Sequence, residues 1–349
     1  MLIRSVRLND YRNYTRAVFT FDPHLNIIIG KNGTGKTNLL ESIVVVSNTK
    51  SYRTNDDQDL IRKQKDYARI ELNSDEDEYR VVINKKGKSL FINDTLVRKT
   101  SEFIGRINAI LFKPSDLELF TQSPGERRRL LDIEISKVSS RYIASILKYN
   151  RLLKDKNRLL KEDKPDPVLM SVINDSMVPL IKVIIEEREQ FFEVVNQYIS
   201  PMYAMISGKN NEIKVRYRRC CEIEDVEKKI EQTAEKDLYY HYTTFGTHHE
   251  DYDFQMDGYD LNSIASQGQK RMVLIAFKFA LIKYVQKQTG QTPVVLLDDI
   301  LSELDKDNQE RLLNVIPQKT QVIITNTDIN NLDIRKPYKL ITLKEEEDV

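Results

Sequence analysis

The chain has 349 residues, 40% of them hydrophobic, which is enough for one large or two ordinary domains. With 54 basic and 53 acidic residues the formal net charge is only +1, so a nucleic-acid surface would have to be a local basic patch. The two cysteines are the neighbours Cys220 and Cys221, poorly placed for a structural disulfide or a metal cage, and they point to a reducing cytoplasm. Met1-Leu2-Ile3-Arg4 does not read as a signal peptide, because charge recurs before an apolar core builds up. No apolar run reads as long enough to cross a bilayer.

Apolar runs predict strands over 1–8 and 17–21, with the polar turn Tyr11-Arg12-Asn13-Tyr14 between them. Pro23 breaks the second run. Residues 25–29 then form a short β-branched stretch leading into Gly30-Lys31-Asn32-Gly33-Thr34-Gly35-Lys36-Thr37. This octet fits G-x-x-x-x-G-K-[ST] at every position, and 38–48 carry helical spacing after it. Strand, glycine loop and helix together define a phosphate-binding loop. The glycines let backbone N–H groups turn inward around an anion, and the helix adds the positive end of its dipole. Lys36 is expected at the β- and γ-phosphates of a nucleotide, and the Thr37 hydroxyl on Mg²⁺. After the polar loop Ser51-Tyr52-Arg53-Thr54, alternating runs at 68–72, 79–84 and 90–92 predict an antiparallel meander laid against the nucleotide-binding sheet. Lys86-Gly87 and Asn93-Asp94 are suitable hairpin turns.

Beyond Phe112 the pattern changes. Pro114-Ser115-Asp116-Leu117 leads into a short helix, and 126–161 read as charged helix with Ile143, Ile146, Leu147 and Asn150 on one face. Lys164-Pro165-Asp166-Pro167 is a turn, and 168–200 form a second helix with a Met177, Leu180, Ile181, Ile184 stripe. Two antiparallel helices in an inserted arm are expected, the stripe serving helix–helix packing more readily than a partner. Residues 222–236 read as a further charged helix.

The carboxyl-terminal third carries the remaining chemistry. Val294-Val295-Leu296-Leu297 reads as a buried parallel strand ending in Asp298-Asp299. A carboxylate at the carboxyl end of such a strand lies beside the phosphate loop in P-loop folds. Asp298 is therefore expected on Mg²⁺ and Asp299 on the attacking water. A helix amino-terminal acid is the plainer reading of the same pair.

Ser266-Gln267-Gly268-Gln269 precedes a strongly amphipathic helix with Met272, Ile275, Ala276 and Phe279 on one side. Ser266 and Gln269 make a capping box, yet the same geometry leaves a hydroxyl and free N–H groups for a γ-phosphate, and both readings stay open. The order Ser-x-Gly-Gln before the acidic strand is the layout of ATP-binding-cassette ATPases. Ser302-Glu303-Leu304-Asp305 is similar to their D-loop. Residues 321–325 predict another strand ending in Thr325-Asn326-Thr327, where cassette transporters usually carry histidine. The threonine hydroxyls could reach the γ-phosphate or merely close a turn.

These motifs together resemble the RecF family of bacterial recombination-repair ATPases, related to the heads of SMC proteins. The resemblance covers Leu8–Tyr14, Gly30–Glu41, Ser51–Thr54, Pro114–Asp132, Gly246–Asp251, Ala265–Arg271 and Leu296–Asp305. Departures are Thr247 for proline, His249 for arginine and Gln122 for glycine. The resemblance implies an α/β P-loop cassette-type head, its mixed sheet flanked by the meander, with an inserted helical arm. The head would comprise 1–115 and 241–349, and the arm 116–240. It implies a slow ATPase that dimerises on ATP with Mg²⁺. Residues 30–37, with Arg12, would bind ATP on one chain, and Ser266, Gln267, Gly268 and Gln269 would close on it from the other. Lys36 and Asp299 would serve catalysis, and Ser302 and Asp305 the D-loop. It further implies double- and single-stranded DNA at gaps, RecO and RecR as partners, RecA loading, and a part in the SOS response. Arg53, Arg127 and Arg128 are candidates for the DNA face, although any one surface cation is more often simply solvated. The competing readings are a transport ATPase subunit, another SMC-like or anti-phage ATPase, and a small-molecule kinase. The last does not explain the 266–269 and 302–305 motifs.

Overall fold

A computed structural model describes residues 1–344 except 318, 330–333 and 335. In chain order the first elements are β1 (Ile3–Tyr11), β2 (Tyr14–Thr20), β3 (Leu25–Ile29), α1 (Lys36–Asn48), β4 (Tyr67–Ser74), β5 (Glu78–Asn84), β6 (Gly87–Ile92), β7 (Thr95–Val97), α2 (Thr100–Phe103) and β8 (Ala109–Phe112). The middle of the chain forms α3 (Pro124–Ser136), α4 (Ser140–Leu159), α5 (Pro167–Ser207), β9 (Ile213–Arg218) and α6 (Val226–Tyr240). Then come β10 (Asp251–Met256), β11 (Tyr259–Asp260), α7 (Leu261–Ile264), α8 (Gln267–Thr289), β12 (Val294–Asp298), α9 (Lys306–Val315), β13 (Val322–Asn326) and β14 (Lys339–Thr342).

The chain makes two compact units. The first comprises 1–117, 201–210 and the chain from Arg271 onward. It holds a five-stranded sheet in the order β14-β3-β13-β12-β8, parallel at every pairing. Its strands are short β-branched runs with β12 and β13 buried throughout, as a parallel sheet covered on both faces requires. A second, antiparallel sheet has the order β2-β1-β4-β5-β6-β7, which is the expected meander extended by β1 and β2. Helix α1 fills the space between the two. Leu39, Leu40, Ile43, Val44, Val45 and Val46 share one core with Val6, Leu8, Ile70, Val81, Leu296 and Ile323. That double coverage explains why α1 is apolar on nearly every side.

The second unit comprises 118–200 and 211–270. Here the structure departs from the expected boundaries. Residues 241–270 were expected in the head, but β10 pairs antiparallel with β9 in a small β11-β10-β9 sheet, which places them in the helical unit. On α4 the buried residues are Tyr142, Ile143, Ser145, Ile146, Tyr149, Lys156 and Leu159, while Leu147 and Asn150 of the expected face are exposed. Of the expected α5 stripe, Met177, Ile181 and Ile184 are buried, while Leu180 is only half-buried. The helix also runs to Ser207 and, by length and composition alone, is apolar enough to cross a membrane, contrary to the reading of the sequence. Helix α8 departs as well. It is not amphipathic, because Val273, Leu274, Phe277, Ala280 and Leu281 are buried along with Met272, Ile275, Ala276 and Phe279.

Candidate nucleotide-binding site

The carboxyl ends of β3, β13 and β12 lie side by side, with Asn326 opposite Ile29 and Thr325 opposite Asp298. This edge of a parallel sheet is where such folds bind ligands. The Gly30–Thr37 loop leaves β3 there and enters α1. Gly35 caps the helix in the left-handed region at φ 103°, where a Cβ would come within 2.6 Å of the Tyr14 hydroxyl. Glycine is therefore required twice over at this position, by conformation and by space. Tyr14 donates to the Gly35 carbonyl at 3.0 Å, and Asn38 donates to the Asn13 side chain at 2.7 Å, so the 12–14 turn braces the loop.

Lys36 turns its ammonium back into the loop, donating to the carbonyls of Gly30 at 2.5 Å and Lys31 at 2.9 Å. Burial lowers its pKa, opposed by the nearby carboxylates of Asp299 and Asp298. Thr34 closes the loop with a 2.9 Å bond to the Lys31 carbonyl. Lys31, Asn32 and Gly33 are exposed.

Asp298 is the electrostatic centre. It is buried, and three hydroxyls converge on it. Thr37 and Thr325 donate to Oδ1 at 3.1 and 2.8 Å, and Tyr52 approaches Oδ2 at 3.4 Å. Burial raises the pKa of Asp298, opposed by these hydroxyls and reinforced by neighbouring Asp299. A buried carboxylate with a threonine hydroxyl at its side is a hard-oxygen donor pair suited to Mg²⁺ held jointly with phosphate oxygens. The sequence singled out Thr37 and Asp298, and the structure brings them together. It also assigns Thr325, left open between a phosphate and a turn, to Asp298. Asp299 takes φ 53°, a left-handed conformation rare for aspartate. Its N–H donates to Thr325 Oγ1 at 3.1 Å, and Ser302 donates to its carbonyl at 2.7 Å and its Oδ1 at 3.1 Å. Ser302 thus fixes the aspartate, while Asp305 caps α9 through a 2.8 Å bond from the Asn308 N–H.

Arg12, expected among the ATP-binding residues, meets an acid of α1 in this structure. Its guanidinium forks onto Glu41, Nε to Oε2 at 2.8 Å and Nη2 to Oε1 at 2.6 Å, with Nη1 on the Asp59 carbonyl. Glu41 is fully buried and also accepts from Ser51 at 2.6 Å and Arg53 at 3.4 Å. Arg12 therefore ties α1 to the Asp59 carbonyl, and Ser51 and Arg53 tie the 51–54 loop to α1. The candidate DNA arginines of the second unit are also engaged internally. Arg127 forks onto Asp251 at 2.8 and 2.6 Å, and Arg128 donates to the Glu250 carbonyl at 2.7 Å. The Glu41 clamp escaped the sequence reading, although its spacing of four residues from Thr37 on one helix was available as a signal.

Ser266 and Gln269 form the reciprocal capping box. The Ser266 N–H donates to Gln269 Oε1 at 2.9 Å, and the Gln269 N–H donates to Ser266 Oγ at 3.3 Å. Ser266, Gln267 and Gly268 remain exposed at the start of α8. Among the described residues no group of three histidine, cysteine, aspartate or glutamate side chains could hold a metal ion by itself.

A parallel sheet with a Gly-Lys-Thr loop and a buried strand-end aspartate defines a P-loop nucleotide-binding protein. The RecF/RecN/SMC N terminal domain model matches residues 2–347. A Bacillus velezensis DNA replication and repair protein RecF is 34% identical over 95% of both chains, and one from Lachnospira eligens is 35% identical over 97% of this chain and 98% of its own. A solved structure of the recombination mediator protein RecF-ATPrS in the RecFOR pathway superposes with a TM-score of 0.88 at 26% identity, covering 99% of this chain and 98% of that one. The Smc head domain from Pyrococcus furiosus, at 19% identity and a TM-score of 0.55, shares the fold alone. The chain belongs to the RecF family of DNA replication and repair proteins.

Proposed function

We propose that the protein is an ATP-gated DNA clamp of recombinational repair, acting in the cytoplasm. The observation that carries this reading is the meeting of the Gly30–Thr37 loop with Asp298 through the Thr37 hydroxyl. Lys36 exchanges its two loop carbonyls for the β- and γ-phosphates of ATP. Thr37 and Asp298 hold Mg²⁺, which when bound neutralises phosphate charge and polarises the γ-phosphoryl group. Asp299, set in its left-handed conformation and tied to Ser302, orients water for slow, DNA-stimulated hydrolysis to ADP and phosphate. Exposed Ser266 and the following N–H groups meet the γ-phosphate bound to a second copy, so ATP favours a closed homodimer and hydrolysis releases it. The closed dimer holds DNA at gaps, with RecO- and RecR-type partners promoting RecA loading during the SOS response. Solved structures described as RecF-ATP and RecF-ATPrS in the RecFOR pathway support the nucleotide and the pathway.

Sedimentation with and without ATP–Mg²⁺ tests the reading, using Asp299→Asn to slow turnover and a gapped duplex as ligand. An ATP-dependent shift from monomer to dimer that carries the duplex is expected. A protein that stays monomeric and leaves DNA behind would overturn the clamp.

A further inference from the structure

Two neighbouring histidines of the second unit aim at one oxygen atom. His248 and His249 close a short 3₁₀ turn over Thr247–His249, and both rings fold back over the segment before it. His248 Nε2 lies 3.1 Å and His249 Nε2 3.2 Å from the Thr243 carbonyl oxygen, with the ring centroids 4.1 Å apart. Successive side chains diverge on a regular strand or helix, so the turn is what brings both nitrogens onto one point. The segment that offers the carbonyl is itself fixed. Thr243 donates its N–H and hydroxyl to Asn157 Oδ1 on α4 at 2.7 and 2.8 Å, and the Thr244 N–H donates to Asp237 Oδ1 at 2.7 Å.

His248 is also oriented from behind. Its Nδ1 lies 2.6 Å from the hydroxyl of Tyr149 on α4. A fixed partner on the far ring nitrogen is the way proteins aim a histidine at a metal. Burial, reinforced by His249, holds the His248 pKa down to about 4, so the ring is neutral at pH 7, the form that binds metals. Thr247 Oγ1, buried beside the Tyr149 hydroxyl, makes no hydrogen bond among the described residues. It is an acceptor in waiting. When the His248 proton moves from Nε2 to Nδ1 and is donated to Tyr149 Oη, the tyrosine hydroxyl can turn to Thr247. Nε2 is then bare, with no net change in protons. His249 is exposed and exchanges its tautomer through solvent.

We infer that His248 Nε2, His249 Nε2 and the Thr243 carbonyl form a site for a single divalent transition ion of the kind imidazole prefers, zinc or nickel, completed by water. An ion about 2.1 Å from all three atoms sees each nitrogen–oxygen pair at an angle of about 100°, between the tetrahedral and square arrangements of these metals. Magnesium and calcium, which need several oxygen ligands, are poorly served by two imidazoles and one carbonyl. Asp237 favours a cation here but is already paired with Lys156 at 2.9 Å, and Arg128 opposes one. The bound ion ties the 243–249 segment to α4 through Asn157 and Tyr149. The site lies wholly in the second unit and shares no residue with the nucleotide site.

The test titrates nickel, and separately zinc, into tag-free, metal-stripped, full-length protein without nucleotide, followed by calorimetry. A single ion per chain should bind. His249→Gln, at an exposed position, should weaken binding about ten-fold or more, and Tyr149→Phe about ten-fold through the lost hold on His248. His24→Gln should bind as the parent does. Backbone amides of 243–250 should exchange more slowly with zinc present in the parent but not in His249→Gln, a difference that a merely structural histidine would not produce. Urea midpoints of the metal-free variants show that they fold. A parent without a stoichiometric site would overturn the inference, as would His249→Gln binding as tightly as the parent. Zinc binding lost in Cys220→Ser with Cys221→Ser, yet kept in His249→Gln, would also overturn it and assign the ion to the thiols. Failure of the ATP-driven dimer in the sedimentation experiment would leave this result untouched.

Discussion

At the scale of single residues, the nucleotide site depends on a few buried charges. Lys36 already satisfies its ammonium within the loop, so its absence should leave the fold intact and remove ligand charge pairing. Lys36→Ala should weaken ATP binding by roughly 30-fold or more, since charge-assisted bonds contribute about 1.5–3 kcal/mol each. Equilibrium dialysis measures this, and unchanged affinity would dissociate the loop from ATP. Glu41 plays the opposite part. It is buried beneath Arg12, Ser51 and Arg53, and Glu41→Ala would strand the Arg12 guanidinium. A loss of about 3 kcal/mol is expected from urea unfolding. His248 provides a third case. Its Nδ1 accepts from the Tyr149 hydroxyl at 2.6 Å, and its Nε2 lies 3.1 Å from the Thr243 carbonyl, an arrangement that suits the neutral ring. Burial lowers its pKa to about 4, helped by His249 and Arg128 and opposed by Asp237. The unfolded ring titrates near 6.5, so the unfolded chain binds the extra proton between these values. The stability is therefore fully present above about pH 6.5 and falls by roughly 3 kcal/mol as pH drops to about 4. Urea midpoints measured across that window should flatten in His248→Asn.

At the scale of elements, motif and periodicity were unequally informative. The strand–loop–helix unit of β3 and α1 was legible because the loop demands particular residues at particular places. The capping box at Ser266 was legible for the same reason and formed as read. Periodicity served less well where burial is decided by distant partners. The alternation in Ile213–Arg218 is strand-like, but it passed unnoticed between two helices, and its partner β10 lies more than thirty residues further on. Four apolar residues of α8 line up as on an amphipathic helix, yet the whole stretch 272–282 is buried. The arginines of α3 looked available because a sequence does not reveal that Asp251 will meet Arg127. Ser266 separates local structure from assembly. Ser266→Arg removes the cap, costing about 1 kcal/mol, and should leave ATP binding by the monomer largely intact. Sedimentation should then show no ATP-dependent dimer. A variant that dimerised normally would rule out the contact across two copies.

At the scale of the whole molecule, the strand order β14-β3-β13-β12-β8 has a consequence for synthesis. The strand that launches the phosphate loop is made early, but its sheet neighbours begin at Val322 and Lys339. A ribosome must therefore deliver most of the polypeptide before β3 has an edge to pair with. Such distant closure favours slow, late assembly. Until then the glycine loop is a tethered, unframed segment, and Asp298 cannot be set against Thr37. A chain that stops short of β13 therefore lacks the strand edge that frames the loop.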